Sequence, residues 1–505
     1  MESLTQRYAD QILGVLSCYD RVVITGTLPE ICHVGAMTGY LYAHGIEIAD
    51  YTRFADSLRQ EIRDHAERLA RESGLTIEFI QRNNFRKEDR IREILRERGE
   101  APGLVHIFSA MEPCSCFKPR IERNTRKGAL RGTEGRCLHY YFYFLCEELG
   151  LCYLRVPTWA PFRLQFYFNA HNQLALELKR AGIGFQLVDN TFTALEDFAE
   201  AQRLADSIRV DTLHRLLDRC ARWLCPVLSH FKDGYHWSLM QVEYATDVIF
   251  QRREDLEPLY EVLVRTAIHA VKPEQVAQFL GRKLDEGYTG EIGNDFHTRI
   301  EGTRIKHHMG RVSIKMYDKL GRVLRIETTA NDVTFFKHYR RVEHRNGAST
   351  MKTAPVKKSI YSLSVLAQLM GAANRRYLEF LSDLDDPTQG IKDLEKISRR
   401  TKDGKGTSRG FNLFLKEDRS LFEALVRGEF NIHGLHAKDL RRLLPDRTKS
   451  QISRLLKRLR THGLLKKVGR TYKYYLTRWG KRVIVAALQC RRLFLIPALA
   501  EGSQA

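Results

Sequence analysis

The segment Thr448–Leu476 places Ile452, Leu455, Leu456 and Leu459 at helical spacing, follows them with Gly463, and ends in two short runs, Leu464–Val468 and Tyr472–Leu476, joined at Gly469-Arg470. Steps of three and four put the four aliphatic side chains on one stripe of an α-helix. A glycine just beyond such a stripe ends the helix, because it takes a left-handed backbone without a Cβ penalty. Two apolar runs around a glycine turn predict a β-hairpin. Two shorter helical patterns come first, Leu421–Val426 and Ala437–Leu444, the second stopped by Pro445. Thr448 or Ser450 is placed to cap the third helix, since a side-chain oxygen there satisfies free backbone N–H groups. Lys449, Gln451, Arg454, Lys457 and Arg458 are left for the more exposed faces of that helix, and Lys466, Lys467, Arg470 and Lys473 line the hairpin. Such side chains suit phosphates and base edges.

Charge supports the same partner. The chain carries a formal net charge of +21, and between Asn431 and Arg482 there are sixteen Lys and Arg against only Asp439 and Asp446. Positive charge concentrated in so short a stretch favours a polyanion. A lipid surface would also need large apolar residues opposite the basic face, and the sequence offers none. The order of three helices and a basic hairpin over residues 411–492 resembles the winged-helix modules of MarR-type bacterial regulators. The resemblance implies binding to duplex DNA.

Upstream, 505 residues leave room for further domains. Residues 1–117 alternate strand-like and helix-like runs: a strand from Arg21 to Gly26, a helix over Phe54–Ser73, a strand at Leu75–Ile80, a helix over Lys87–Arg98 and a strand at Leu104–Phe108. That alternation predicts an α/β layer with a parallel sheet. Residues 118–136 are basic, with three glycines, and read as a loop or arm. Residues 137–200 form an aromatic-rich α+β segment, and residues 201–345 an α+β domain with a mixed or antiparallel sheet. Residues 346–410 read as a helix between linkers at 346–358 and 383–410. The expected fold class is therefore α+β and multidomain.

Three strands in residues 201–345 have unusual faces. Alternation in a strand places residues two apart on one side. Glu243, Ala245 and Asp247 share a side; so do Ser313, Lys315, Tyr317 and Lys319; so do Arg325 and Glu327. Carboxylates of this kind supply the hard oxygen ligands that Mg²⁺ or Mn²⁺ requires. The series VEYATDVIF, GTRIKHHMGRVSIKMYDK and LRIETT resembles the motif order of rolling-circle replication initiators of plasmids and filamentous phages, over roughly residues 237–345. The resemblance implies a metal-dependent nicking and joining enzyme, with Tyr317 as nucleophile, Glu243, Asp247 and Glu327 as metal ligands, and Lys315 or Lys319 countering charge on the phosphate. One departure is plain: many such enzymes use two histidines separated by one residue, whereas His307 and His308 are adjacent and point to opposite faces of a strand.

Other constellations carry less. Tyr140–Tyr143 and Phe162–Phe168 suit either base stacking or a sheet core. Cys114, Cys116, Cys137 and His139 are zinc-ligand types without the usual pair spacing. Asp20 precedes an apolar run as the leading carboxylate of nuclease-like folds does, and Asp189 and Asp197 are candidate companions. No phosphate-binding glycine motif and no membrane-length apolar run occurs, and the cysteine usage suits a reducing cytoplasm. The expectation is a mobile-element or plasmid-type DNA-processing protein, replication initiator or transposase-like. It would bind duplex DNA through residues 411–492, and a single strand through the middle region. A non-catalytic winged-helix regulator and an RNA-binding ribonucleoprotein component are the alternatives; oligomeric state stays open.

Overall fold

The computed structural model describes residues 4–81, 84–99, 101–121, 128–284, 288–299, 302–385, 387–403, 406–412, 414–427, 430, 434–469, 471–492 and 496. It is a mixed α+β structure of two compact units, Met1–Asp385 and Asp386–Ala505.

The first unit is built on one sheet. Its strands are β1 (Ile12–Thr27), β2 (Ile77–Phe79), β3 (Gly103–Ile121), β4 (Gly128–Cys146), β5 (Gly150–Pro157), β6 (Leu164–Phe168), β9 (His236–Phe250), β10 (Ile292–Arg299), β11 (Gly302–Met309), β12 (Val312–Lys319) and β13 (Val323–Ala330); β7 (Phe185–Val188) and β8 (Thr191–Leu195) form a separate hairpin. The spatial order is β10-β11-β12-β13-β9-β1-β6-β5-β4-β3-β2. Neighbours run antiparallel except β2 and β3.

This corrects the expected N-terminal parallel layer and the expected boundaries. Strands from 1–117, 137–200 and 201–345 share one sheet because β1 pairs with β6 on one side and with β9 on the other. Short apolar runs fix a strand's faces but not its distant partner, so local patterns suggested separate layers. Residues 118–136 are no loop where they are described. Lys118–Ile121 and Gly128–Arg136 continue β3 and β4 in unbroken register, and Phe117 and Leu130 anchor the hairpin in the core. Of the expected linkers, Ser349–Pro355 pairs with Lys337–Glu343 as a hairpin, and residues 383–410 include the helix Pro387–Ser398.

One face of the sheet is a large apolar core. In β9, Val242, Tyr244 and Val248 point into it, as do Leu324 and Ile326 of β13. The helix Tyr51–Glu72 contributes Leu58, Ile62 and Leu69 at helical spacing, and Leu363–Asp385 contributes Leu366, Met370, Ala373 and Tyr377. The aromatic runs divide by alternation. Tyr140, Phe142, Phe144, Phe166 and Phe168 enter this core, while Tyr141, Tyr143 and Tyr153 form a smaller one with Ile91 of the Lys87–Arg98 helix. Among the described residues, no helix is long and apolar enough to cross a membrane.

The second unit has its own core, including Leu421, Leu440, Ile452, Leu456, Leu459 and Ile484. Helices Lys416–Leu425, Ala437–Leu443 and Lys449–Thr461 are followed by the strand pair Leu465–Lys467 and Tyr474–Leu476, then by the helix Arg478–Cys490. Leu435 forms a bridge to Tyr474.

Candidate functional site

The side of the first unit's sheet opposite the large core gathers buried Asp20, Asp247, Arg325 and Glu327. Register explains the convergence. Arg325 lies opposite Asp247, Glu327 opposite Ala245, Lys315 opposite Glu327 and Tyr317 opposite Arg325. In β1 the register with β9 shifts between Tyr19 and Arg21, leaving Asp20 as an inserted residue. A bulge of this kind re-aims side chains. It brings Asp20 beside Glu243 and Glu327, so that one ligand atom from each lies within 4.8 Å of the others. Among the described residues this is the group of His, Cys, Asp and Glu that could hold a metal ion.

The three carboxylates are not equivalent. Asp20 accepts a hydrogen bond from Asn169 Nδ2 at 3.1 Å and another from Asn190 Nδ2, with Arg325 Nη1 at 3.5 Å and His171 Nδ1 at 3.4 Å. Burial alone would raise its pKa, but Arg325, His171 and Lys319 hold it well below the usual carboxylate range. Glu243 behaves oppositely: burial and then Glu327 push it up to about 7, against the pull of Lys315. Glu327, 2% exposed, accepts from Lys315 Nζ at 2.5 Å and from Tyr317 Oη at 2.6 Å. Lys315 also stands 3.6 Å from Glu243. Like charges this close cannot all ionise without a counter-charge. A lysine meets part of that demand, and a divalent cation meets it more fully.

The cations divide as sharply. Burial opposes charge on Lys315, yet Glu327 and Glu243 raise its pKa above the ordinary value. Burial and then Arg325 lower the Lys319 ammonium to about 8; its Nζ donates to Asn190 Oδ1. Burial and the Glu327 carboxylate push the Tyr317 phenol well above its ordinary pKa. Its hydroxyl already points at an acceptor that could take its proton.

Local structure places the supporting groups. Asn169 is the N-cap of the helix Ala170–Ala181: its Oδ1 accepts from His171 N at 2.8 Å while its amide nitrogen serves Asp20. Asp189 and Asn190 make the two-residue turn of the β7–β8 hairpin, Asp189 with a positive φ of 55°. Asp and Asn tolerate that backbone better than most residues. The turn aims Asn190 at Asp20 and Lys319, and its carbonyl accepts from Arg325 Nη2 at 3.0 Å.

The structure thus gathers Glu243, Glu327, Tyr317, Lys315 and Lys319, as the strand faces anticipated. It corrects Asp247. Both Asp247 oxygens are held by Arg325 at 2.6 Å in full burial, so it acts as counter-ion to the arginine, and Asp20 takes its expected place in the trio. Asp20 does not join Asp189 and Asp197, which pair with Arg92 and cap the helix Phe198–Ala205. His307 bonds Asn294 and Tyr377 on the core side, and His308 lies 3.6 Å from Asp295. His139 sits 3.8 Å from Cys137 Sγ. Asn169 and Asn190 had no sequence signal beyond the cap and the turn they form.

In the second unit, Lys449, Arg454, Lys457 and Lys466 are exposed, and Lys467 and Lys473 half-buried. Thr448 caps the Lys449–Thr461 helix in a reciprocal box with Gln451, whose Oε1 accepts from Thr448 N at 2.8 Å; part of the Gln451 amide is therefore engaged in holding the helix start. Arg458 is a correction. It is 7% exposed, grips Asp418 at 2.7 and 2.9 Å, donates to the Gly410 carbonyl at 2.6 Å and covers the Phe411 ring, so it is a core cation and not a surface one. The helical stripe could not reveal it, because a buried acid forty residues away draws it inward. Arg470 lies outside the described residues.

No protein-family model, curated protein or solved structure matches the chain.

Proposed function

We propose that this chain cuts and rejoins DNA strands at the Asp20–Glu243–Glu327 centre, using Mg²⁺ or Mn²⁺, and is directed to its site by a winged-helix module in the second unit. The observation that carries the reading is the meeting of three carboxylates within 4.8 Å with a tyrosine hydroxyl 2.6 Å from one of them. A hard divalent cation fits that all-oxygen donor set and would supply Lewis acidity to a phosphodiester. Tyr317 Oη attacks phosphorus as Glu327 takes the phenolic proton. The P–O3′ bond breaks, leaving a 5′-phosphotyrosine and a 3′ oxygen that leaves as a hydroxyl once protonated. Lys319, with its ammonium lowered to about 8, is suited to deliver that proton, and Lys315 offsets charge between Glu243 and Glu327.

The module reading rests on element order, the Leu435–Tyr474 bridge and the exposed Lys449, Arg454, Lys457 and Lys466. The test is incubation with supercoiled and single-stranded DNA in Mg²⁺ or Mn²⁺. A covalent protein–DNA adduct, lost in Tyr317→Phe, and cleavage lost in Glu327→Gln are expected. Cleavage that persists without an adduct in Tyr317→Phe would assign the attack to water. Duplex binding with no cleavage on any DNA would overturn the enzyme reading in favour of a regulator.

A further inference from the structure

A cavity of about 960 Å³ adjoins the acidic centre. It lies between the helices Lys87–Arg98 and Ala170–Ala181, with the ends of β4–β6 and the β7–β8 hairpin also in its lining. Asn169 and Asn190, whose amides hold Asp20, line it, so the cavity reaches the trio's Asp20 through those two side chains. Its lining mixes aromatic and aliphatic side chains, Tyr143, Tyr167 and Leu176 among them, with charged and amide ones, and its volume falls in the roughly 300–1,000 Å³ range of ligand sites.

Two observations point to the occupant. Tyr143 lines the cavity, is 2% exposed, and its Oη has no hydrogen-bond partner among the described residues. A buried hydroxyl left so is costly unless something pairs with it. In addition, cations stand on both flanking helices, Arg92 and Arg96 on one and Lys179 and Arg180 on the other, and outnumber Glu88, Glu147 and Asp189 in the same lining, although Arg92 pairs with Asp189 at 3.4 Å and Arg180 with Glu177 at 3.0 Å. A slot that is part apolar and part charged, with cations in excess and the proposed phosphoryl-transfer centre beyond its asparagines, suits a nucleotide whose base has left its stack. We infer that the cavity receives an unpaired base of the DNA strand processed at the trio, with Tyr143 Oη meeting a polar edge of the base. This rests on the proposed function for the identity of the strand, and it narrows the substrate to single-stranded or locally opened DNA.

The test uses single-stranded oligonucleotides with 2-aminopurine at one position at a time, bound by the full chain in EDTA so that nothing is cut. One or two adjacent positions should change emission on binding, and an abasic nucleotide there should weaken affinity about tenfold. Leu176→Trp, which fills the cavity, should abolish the signal. Tyr143→Phe, which keeps the ring, should weaken affinity several-fold with an unchanged circular-dichroism spectrum. A uniform response along the strand, or one untouched by both variants, overturns the inference. If the probe is silent while Glu327→Gln abolishes cleavage, the pocket fails and the catalytic reading stands. If the probe responds and no strand is ever cut, the pocket stands and the catalytic reading fails.

Discussion

Arg325 holds Asp247 through two hydrogen bonds, Nε to Oδ1 and Nη2 to Oδ2, each 2.6 Å long, where neither residue is more than 1% exposed. The pair divides the polar face of the sheet in two. On one side, charge is neutralised within the protein and serves as scaffold. On the other, Asp20, Glu243 and Glu327 outnumber the lysine that bridges two of them. Arg325 also reaches both parts, since its Nη1 stands 3.5 Å from Asp20.

Removing one partner of a buried pair leaves the other charge uncompensated, at a cost of about 3–5 kcal/mol. Arg325→Met should therefore destabilise the first unit by that order in urea unfolding. Because it also loosens Asp20, it should weaken divalent-cation binding. The double variant Arg325→Met with Asp247→Leu should recover part of the stability but not the cation affinity. A single variant as stable as the wild type would remove the pair from its scaffolding role.

Cation binding to the folded chain alone should stabilise it by about 2.7 kcal/mol at a hundredfold excess over Kd. Mn²⁺ should thus raise the melting temperature of the wild-type chain. The rise should vanish in Glu327→Gln and in Asp20→Asn, and survive in Asp189→Asn, which lies outside the trio. Equal shifts in all four proteins would place the ion elsewhere.

Glu243 gives the pH dependence. Its carboxyl is pushed up from 4.5 to about 7, so between those values the folded chain holds a proton that the unfolded chain has lost. Stability from this group is present below about pH 4.5, falls as pH rises towards 7, and is flat above; the change is on the order of 3 kcal/mol. In metal-free buffer, Glu243→Gln should flatten that slope and be the more stable protein at pH 8. Mn²⁺ affinity of the wild type should climb from pH 6 to 8 as the ion displaces the proton. A slope unchanged by Glu243→Gln would assign it to another group.

The strand faces of this site were legible in sequence because alternation is a local property: Glu243, Lys315, Tyr317 and Glu327 needed only a period of two. What joins them was not. Asp20 enters through a one-residue bulge, and Asn190 through a hairpin turn that precedes β9 by more than forty residues, and neither leaves a periodic trace. Asp247 looked like a ligand because nothing in its own strand reveals that Arg325, 78 residues later, lies opposite it. The single sheet was hidden for the same reason, since β1 finds β9 across more than two hundred residues. In the second unit the hairpin and the second and third helices were readable to within a residue or two, but the first helix starts five residues before the expected Leu421, the helix Arg478–Cys490 was not anticipated, and among the basic residues the error fell on Arg458, whose partner Asp418 is distant.

That error separates two kinds of arginine on one helix. Arg458 is held by Asp418, the Gly410 carbonyl and the Phe411 ring, whereas Arg454 is exposed. Arg458→Ala should cost about 3–5 kcal/mol by stranding Asp418 in the core. At temperatures where the unit stays folded, it should leave the salt dependence of duplex binding unchanged. Arg454→Ala with Lys457→Ala should do the reverse: nearly native unfolding, weaker duplex binding, and a log–log salt slope shallower by about 0.9 for each phosphate the protein no longer neutralises. Fluorescence anisotropy over a salt titration from about 50 to 200 mM, beside urea unfolding of the same proteins, measures both. If the Arg454 and Lys457 variant keeps the wild-type slope, the proposed role of this helix's exposed face in duplex binding falls.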